Sequence, residues 1–363
     1  MLLNLHTKRF LKKILPFGLI WMAFALVYGL LEYGLIGQLD KYPSSGNPYN
    51  FKNNIIPLLI GSFLVGLFQG VCEIRWLARR FTGSTLKFKI LIKTVFYIFF
   101  FAVCLVAFSL FNSYYNYHGY LLIDALDDLQ RFAANFSFWS TLVFMGFIAG
   151  IALFFSEIIQ YVGDGVIYNA LFSKYHRPIS EKRIFMFLDM KSSTAIAERL
   201  GHEKYFTLLK QYYADMTHAI LTTEAEIYQY VGDEIVLSWP KDVGLEDNNC
   251  INAFIKIANK IDAKKHIYLE QFGEVPKFKA GFHIGEVTIG EIGTIKRNII
   301  YTGDVLNTTA RIEAECNNYK AQILISGELK QELAAGNNTS IIKIGALILR
   351  GKTIPMALYK VTF

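Results

Sequence analysis

Four long apolar stretches, at about 14–36, 54–74, 90–111 and 138–159, constrain this chain more than any other feature. Each approaches or exceeds the roughly 20 residues a helix needs to cross about 30 Å of hydrocarbon. A chain that is 53% hydrophobic, 15% aromatic and only 18% charged is too apolar for an ordinary soluble enzyme. The first stretch follows the basic segment HTKRFLKK, as a secretory signal would. Its apolar run is too long for a signal, and no small-residue cleavage pattern closes it, so it reads as a retained span.

Charge orients these spans. The N-terminal arm carries Lys8, Arg9, Lys12 and Lys13, and the second connection carries Arg75, Arg79, Arg80, Lys87 and Lys89. The first connection offers Lys41 and Lys52, and the third offers Arg131 amid Asp124, Asp127 and Asp128. The positive-inside bias therefore predicts a cytoplasmic N-terminus, and an even number of spans returns the C-terminal half to the same side. Residues 1–160 hold 13 Lys/Arg against 7 Asp/Glu, while residues 161–363 hold 24 against 23. The soluble half is close to neutral, which disfavours a nucleic-acid partner. Glu32, Glu73, Lys93 and Glu157 fall near the predicted span ends, where they are expected to reach the headgroups. Cys72, Cys104, Cys250 and Cys316 lie at least 32 residues apart and read as reduced packing thiols.

The chain divides into a four-span anchor over 1–160, a helical connector over 161–182 and a soluble domain over 183–363. In the connector Ile159, Val162, Val166 and the Ile167/Ala170 edge approximate an apolar seam, which Pro178 should end. From 183 the pattern becomes strands alternating with helices, predicting one α+β domain with helices segregated to one face of the sheet. EIYQYVGDEIVLSW reads as two strands joined by a tight Gly-Asp turn.

Two aspartates stand out there. Asp189 ends an apolar strand and Asp233 sits at a hairpin tip with apolar flanks, so rigid backbone holds each carboxylate. Such a pair suits a hard divalent cation, although a strand-end Asp can equally cap the next helix. Asn307 and Arg311, four apart in YTGDVLNTTARIE, project from one helical face and can address one ligand; a solvated face is the alternative. His202, His218, His266 and His283 form no metal-site spacing, and GEVTIGEIG lacks the GxxxxGK[ST] phosphate loop.

Taken in order, FLDMKSST (187–194), YVGDEIV (230–236), KFKAGFHIGEV (277–287) and TGDVLNTTAR (302–311) resemble the catalytic domain of class III nucleotide cyclases. The resemblance covers about residues 180–363 and implies a ferredoxin-like α+β fold. It further implies that Asp189 and Asp233, with the Met190 carbonyl, hold two Mg²⁺ or Mn²⁺ ions per active site. Asn307 would orient the substrate ribose and Arg311 would stabilise charge on the transferring phosphate. Lys277, four residues before Gly281, falls where the resemblance expects the adenine-reading lysine. Its partner position is Ile300, where relatives carry Asp, Thr or Ser, so base selection would use backbone, a neighbour such as Asn298 or Thr302, or be relaxed. Gln229 stands where many relatives carry Lys, four residues before the second aspartate. The resemblance also implies a homodimer with shared sites, the metal aspartates coming from one subunit and the lysine, asparagine and arginine from the other. The expected function is a membrane-anchored adenylate cyclase making cyclic AMP from ATP. A cyclase acting on GTP or a pyrimidine nucleotide, and a catalytically silent membrane receptor, are the alternatives.

Overall fold

The computed structural model describes residues 5–37, 39–41, 49–77, 80, 85–116, 130–131, 133–162, 175–295, 297–334 and 339–363. These separate into two compact units, one before and one after residues 163–174. Most of the expected connector seam, and most of the third connection, lie outside the described residues.

Among the described residues the first unit has the helices α1 (Leu5–Ile36), α2 (Phe51–Cys72), α3 (Leu86–Asn116) and α4 (Phe136–Val162). A π-helical turn, Glu73–Leu77, extends α2. All four are long and apolar enough to cross a membrane, over Phe10–Ile36, Phe51–Leu77, Leu86–Ala107 and Phe136–Ile159. Their shared core holds Phe17, Trp21, Tyr97, Phe101, Leu142 and Leu153.

Several polar groups inside this core are paired across helices, as a medium without water favours. Trp21 Nε1 donates to Gln69 Oε1 at 2.7 Å, and Gln69 Nε2 donates to the Ala149 carbonyl at 3.2 Å. One turn on, Lys93 from α3 pairs with Glu73 and, at 2.8 Å, with Glu157 of α4. All three are buried, Lys93 to 1% exposure. This corrects the expectation that Glu73, Lys93 and Glu157 reach outward to headgroups: neutralising one another costs less than exposing any of them to an apolar surround. Glu32 does stand apart from them, accepting from Tyr28 at 3.1 Å.

The second unit begins with β1 (Ile179–Met190), followed by α5 (Ser193–Leu200), α6 (His202–Thr222), β2 (Glu226–Val231) and β3 (Glu234–Pro240). Then come α7 (Lys241–Leu245), α8 (Asn249–Ala263), α9 (Lys265–Phe272), β4 (Phe278–Ile292), β5 (Asn298–Thr302) and α10 (Asp304–Asn318). The chain closes with β6 (Ile323–Ser326), α11 (Gly327–Glu332), β7 (Ser340–Leu347) and β8 (Met356–Thr362). One eight-stranded mixed sheet runs in the order β2-β3-β1-β4-β6-β8-β7, with β5 added against β4. β1 begins at Ile179, before the apolar run at 183, because Ile179 to Lys182 pair with Ile289 to Glu286 of β4.

Alternation along β1 sends Ile184, Met186 and Leu188 into a core shared with α6 and α8, and Phe185 and Phe187 into a second core on the opposite face. Val305, Leu306 and Ala310 of α10 belong to that second core. Helices therefore cover both faces, not one as the pattern predicted. The close approach of α10 depends on Gly281 of β4, where an added Cβ would lie 2.3 Å from the Glu313 nitrogen.

Candidate active site

Asp189 is the last odd-numbered residue of β1, so it points to the α10 face, while the Met190 side chain is buried in the opposite core. Only the Met190 carbonyl remains available to a cation. Asp233 follows Gly232, whose φ of 63° makes the tight turn between β2 and β3 possible. That turn brings the Asp233 carboxyl within hydrogen-bonding reach of Asp189. The two aspartates, 44 positions apart in the chain, thus meet.

Around them the charges are unbalanced. Lys279 of β4 lies 3.4 Å from Asp189 Oδ2 and 2.6 Å from Glu313 of α10, and Glu234 stands in the same field. Burial, then Glu313 and Asp233, push the Asp189 carboxyl up to about 6. Burial, then Glu313, Asp189 and Asp233, push Glu234 up to about 7. One buried lysine faces four acidic side chains. Asp233 Oδ2 is buried with no hydrogen-bond partner, which is costly for a carboxylate. Among the described residues no three His, Cys, Asp or Glu side chains form a complete metal shell. Two carboxylates with an orphaned oxygen fit a cation that also takes phosphate oxygens, as Mg²⁺ commonly does.

The other predicted residues gather elsewhere. On α10, Val305, Thr308, Thr309, Ile312 and Glu313 turn to the sheet, leaving Asn307 exposed and Arg311 half-buried on the outer stripe. Arg311 lies beside Gly351, where an added Cβ would sit 3.3 Å from Nη2, and neighbouring Lys352 pairs with Asp304. On β5, Ile300 is opposite Gly290 and Thr302 opposite Thr288, and the Thr302 hydroxyl donates to the Thr288 carbonyl at 3.2 Å. Asp189 is opposite Lys279. The β5 positions are thus about 30 Å (Thr302) to about 36 Å (Ile300) along the strand path from the aspartates, at about 3.2–3.4 Å per residue.

Lys277 does not join Ile300. It is exposed, immediately before β4, and its carbonyl accepts from Lys191 N at 2.7 Å, so it stands at the aspartate end. Along β4 it is roughly 40 Å from the position opposite Ile300. The pairing of Lys277 with Ile300 around one base is therefore corrected. Tyr228 of β2 packs on Tyr301 of β5 with ring centroids 4.8 Å apart, which brings this part of β2, with exposed Gln229 next in sequence, near β5. Lys279, which the sequence reading passed over, is the lysine at the aspartates; its signal was the alternation that sets it on the same face as Gly281.

With this geometry in view, the adenylate and guanylate cyclase catalytic domain family matches residues 177–362, half of the chain. This chain belongs to that family. Adenylate cyclase 2 of Rhizobium meliloti (strain 1021) is 35% identical over 194 residues, 53% of this chain and 53% of that protein. The adenylate cyclase of Anabaena cylindrica is 26% identical over 188 residues, 50% of this chain and 37% of that protein. The chain thus spans about half, or less, of the length of these curated relatives. A solved bacterial light-regulated adenylyl cyclase shares the fold with a TM-score of 0.52 at 19% identity, covering 60% of this chain and 64% of that one.

Proposed function

We propose that two copies of this chain form a membrane-anchored adenylate cyclase that converts ATP to cyclic AMP and pyrophosphate at shared sites. The observation that carries this reading is the split of one set of residues into two groups. Asp189 and Asp233 meet at one end of β4, Ile300 and Thr302 lie toward its other end, and Asn307 and Arg311 stand on the face of α10 turned away from the sheet. One copy cannot close both groups on a single nucleotide, whereas a second copy can bring its α10 and β5 to the first copy's aspartates. The apolar edge of β2, with Ile227, Tyr230 and Val231 exposed, supports such a partner.

In this reading Asp189, Asp233 and the Met190 carbonyl hold two Mg²⁺ or Mn²⁺ ions. When bound, these supply Lewis-acid charge to the phosphates and acidify the ribose 3′-hydroxyl. Lys279 keeps the carboxylates oriented from within. Asn307 fixes the ribose, so that the 3′-oxygen lines up with the α-phosphorus opposite the pyrophosphate leaving group. Arg311, steadied beside Gly351, meets the charge that grows on the equatorial oxygens, with Lys352 near at hand for the leaving phosphates. Ile300 has no hydrogen-bonding group, so adenine is read by the Gln229 amide, which offers a donor and an acceptor together, and by Thr302. Adenylate cyclase activity in the relatives supports ATP as substrate.

The lysine and arginine distribution supports a cytoplasmic N-terminus and catalytic unit, and the four apolar helices support a multi-pass anchor in the cell membrane. A catalytically silent receptor has no chemical need for both aspartates, Asn307 and Arg311.

The test mixes Asp189→Ala chains with Arg311→Ala chains. Each homodimer should be inactive with Mn²⁺ and ATP, and the mixed population should regain activity from its one intact site. Failure to recover despite verified mixing contradicts the shared-site reading. Assaying the four nucleoside triphosphates should give most cyclic product from ATP.

A further inference from the structure

Among the described residues β2 joins the sheet through β3 and β5 pairs with β4, with no ladder between β2 and β5, so backbone hydrogen bonds do not set the distance between them. One side chain does connect them. Arg183 of β1 is buried to 1% exposure on the α10 face. Its Nη1 donates to Glu181 at 3.0 Å, and its Nη2 donates to Glu226 of β2 at 2.5 Å and to Ser238 of β3 at 3.1 Å. The guanidinium lies over the Tyr301 ring of β5, 5.2 Å from the centroid. Tyr301 in turn donates to Glu226 at 3.4 Å and packs edge-on against Tyr228 and Phe185.

None of these groups is used by the reaction as described, and filling space would need only an apolar residue. A buried guanidinium paired with partly exposed carboxylates adds little stability; the better-attested use of such an ionic group is to fix one arrangement against near alternatives. Arg suits that use because its planar fork addresses two carboxylates while its face stacks on a ring.

We propose that Arg183 is a positioning residue that sets the gap between β2 and β5, and so the discrimination between ATP and GTP, without touching nucleotide. This rests on the reading of Gln229, Ile300 and Thr302 as base-facing positions. These residues flank the knot directly: Tyr301 lies between Ile300 and Thr302, and Tyr228 precedes Gln229.

The experiment compares full-length wild type with Arg183→Met, Arg183→Lys and Glu226→Gln, measuring kcat and KM for ATP and for GTP. Arg183→Met should raise the KM for ATP and lower the ATP-to-GTP ratio of kcat/KM by about tenfold, with kcat nearly unchanged. Arg183→Lys keeps the charge but loses the fork and should fall between. Glu226→Gln changes a half-exposed residue that tolerates substitution, and it should shift the ratio in the same direction. If Arg183→Met does not fold, the other two variants decide. A purely structural role lowers the active fraction and scales both nucleotides equally; an unchanged ratio in folded variants of reduced activity overturns the proposal. Wild type that cyclises no triphosphate removes the functional reading and this inference with it, whereas an active wild type with unshifted variants removes only the inference.

Discussion

Replacing Gly281 by alanine tests how α10 is seated. The new Cβ would lie 2.3 Å from the Glu313 nitrogen and 2.7 Å from its Cα, both backbone atoms that no rotamer change can move aside. Carbon contacts settle near 3.5–4.0 Å, so α10 must withdraw by about 1 Å. Overpacking of this kind costs about 1–3 kcal/mol. For a unit of this size each kcal/mol lowers the melting temperature by about 2–4 °C, so a fall of about 2–12 °C is expected. The helix carries Asn307 and Arg311, and a displacement near 1 Å at reacting groups can cost about 100-fold in rate. Gly290 on the same strand is the control: its added Cβ would meet Pro178 only at 3.5 Å, an ordinary contact. Thermal melting and cyclase assays on Gly281→Ala and Gly290→Ala, both full-length in detergent, give the comparison. Equal stability and equal turnover in the two would refute this account of the β4–α10 contact.

Removing one repelling carboxylate by Asp233→Asn should raise the melting temperature of metal-free protein while reducing turnover by at least about 100-fold. Mn²⁺ at about 100 times its Kd should stabilise wild type by about 3 kcal/mol and the variant far less, as a melt series would read. His283 is buried against Ser326, and burial holds its imidazole down to about 4. The unfolded chain therefore binds more protons between about pH 4 and 6.5, so stability should be full above 6.5 and lost as pH falls toward 4, by about 3 kcal/mol. Asp189 and Glu234, held up to about 6 and 7, contribute the opposite slope over much of the same range, so the stability difference between wild type and His283→Asn, read from denaturant melts across that window, should carry the histidine's share. In the membrane unit, Lys93→Met strands the buried Glu73 carboxylate and leaves Glu157 only Lys89 at 3.7 Å, and should cost about 3–5 kcal/mol in detergent melts. Adding Glu73→Gln and Glu157→Gln should recover most of the loss; a single variant as stable as wild type would refute the pairing.

Much of this was legible in the chain. Apolar runs mark the four helices because membrane thickness dictates their length, and the Gly-Asp turn between two apolar strands marks the hairpin that brings Asp233 to Asp189. What escaped depends on partners distant in sequence. Periodicity places Glu73, Lys93 and Glu157 near helix ends but says nothing about which ends meet. Lys277 and Lys279 flank Phe278 and differ in role only because β4 pairs with β1 in one register, setting the second opposite Asp189. The coverage of both faces of the sheet was available: RIFMFLDM is continuously apolar rather than alternating, as befits a strand buried on both sides. The approach of β2 to β5 has no local signal at all, since it arises from the ring contact of Tyr228 with Tyr301 between two peripheral strands.

The trio of Lys93, Glu73 and Glu157 also limits how the membrane half can move. Helices greased only by leucine and phenylalanine slide and roll by small increments, because one apolar contact substitutes for the next. Here a roll of α3 by a single residue, about 100°, would aim an ammonium at acyl chains and leave two anions facing each other. Intermediate positions are forbidden, so any message crossing this bundle must travel as a discrete click between keyed arrangements rather than as a gradual lean.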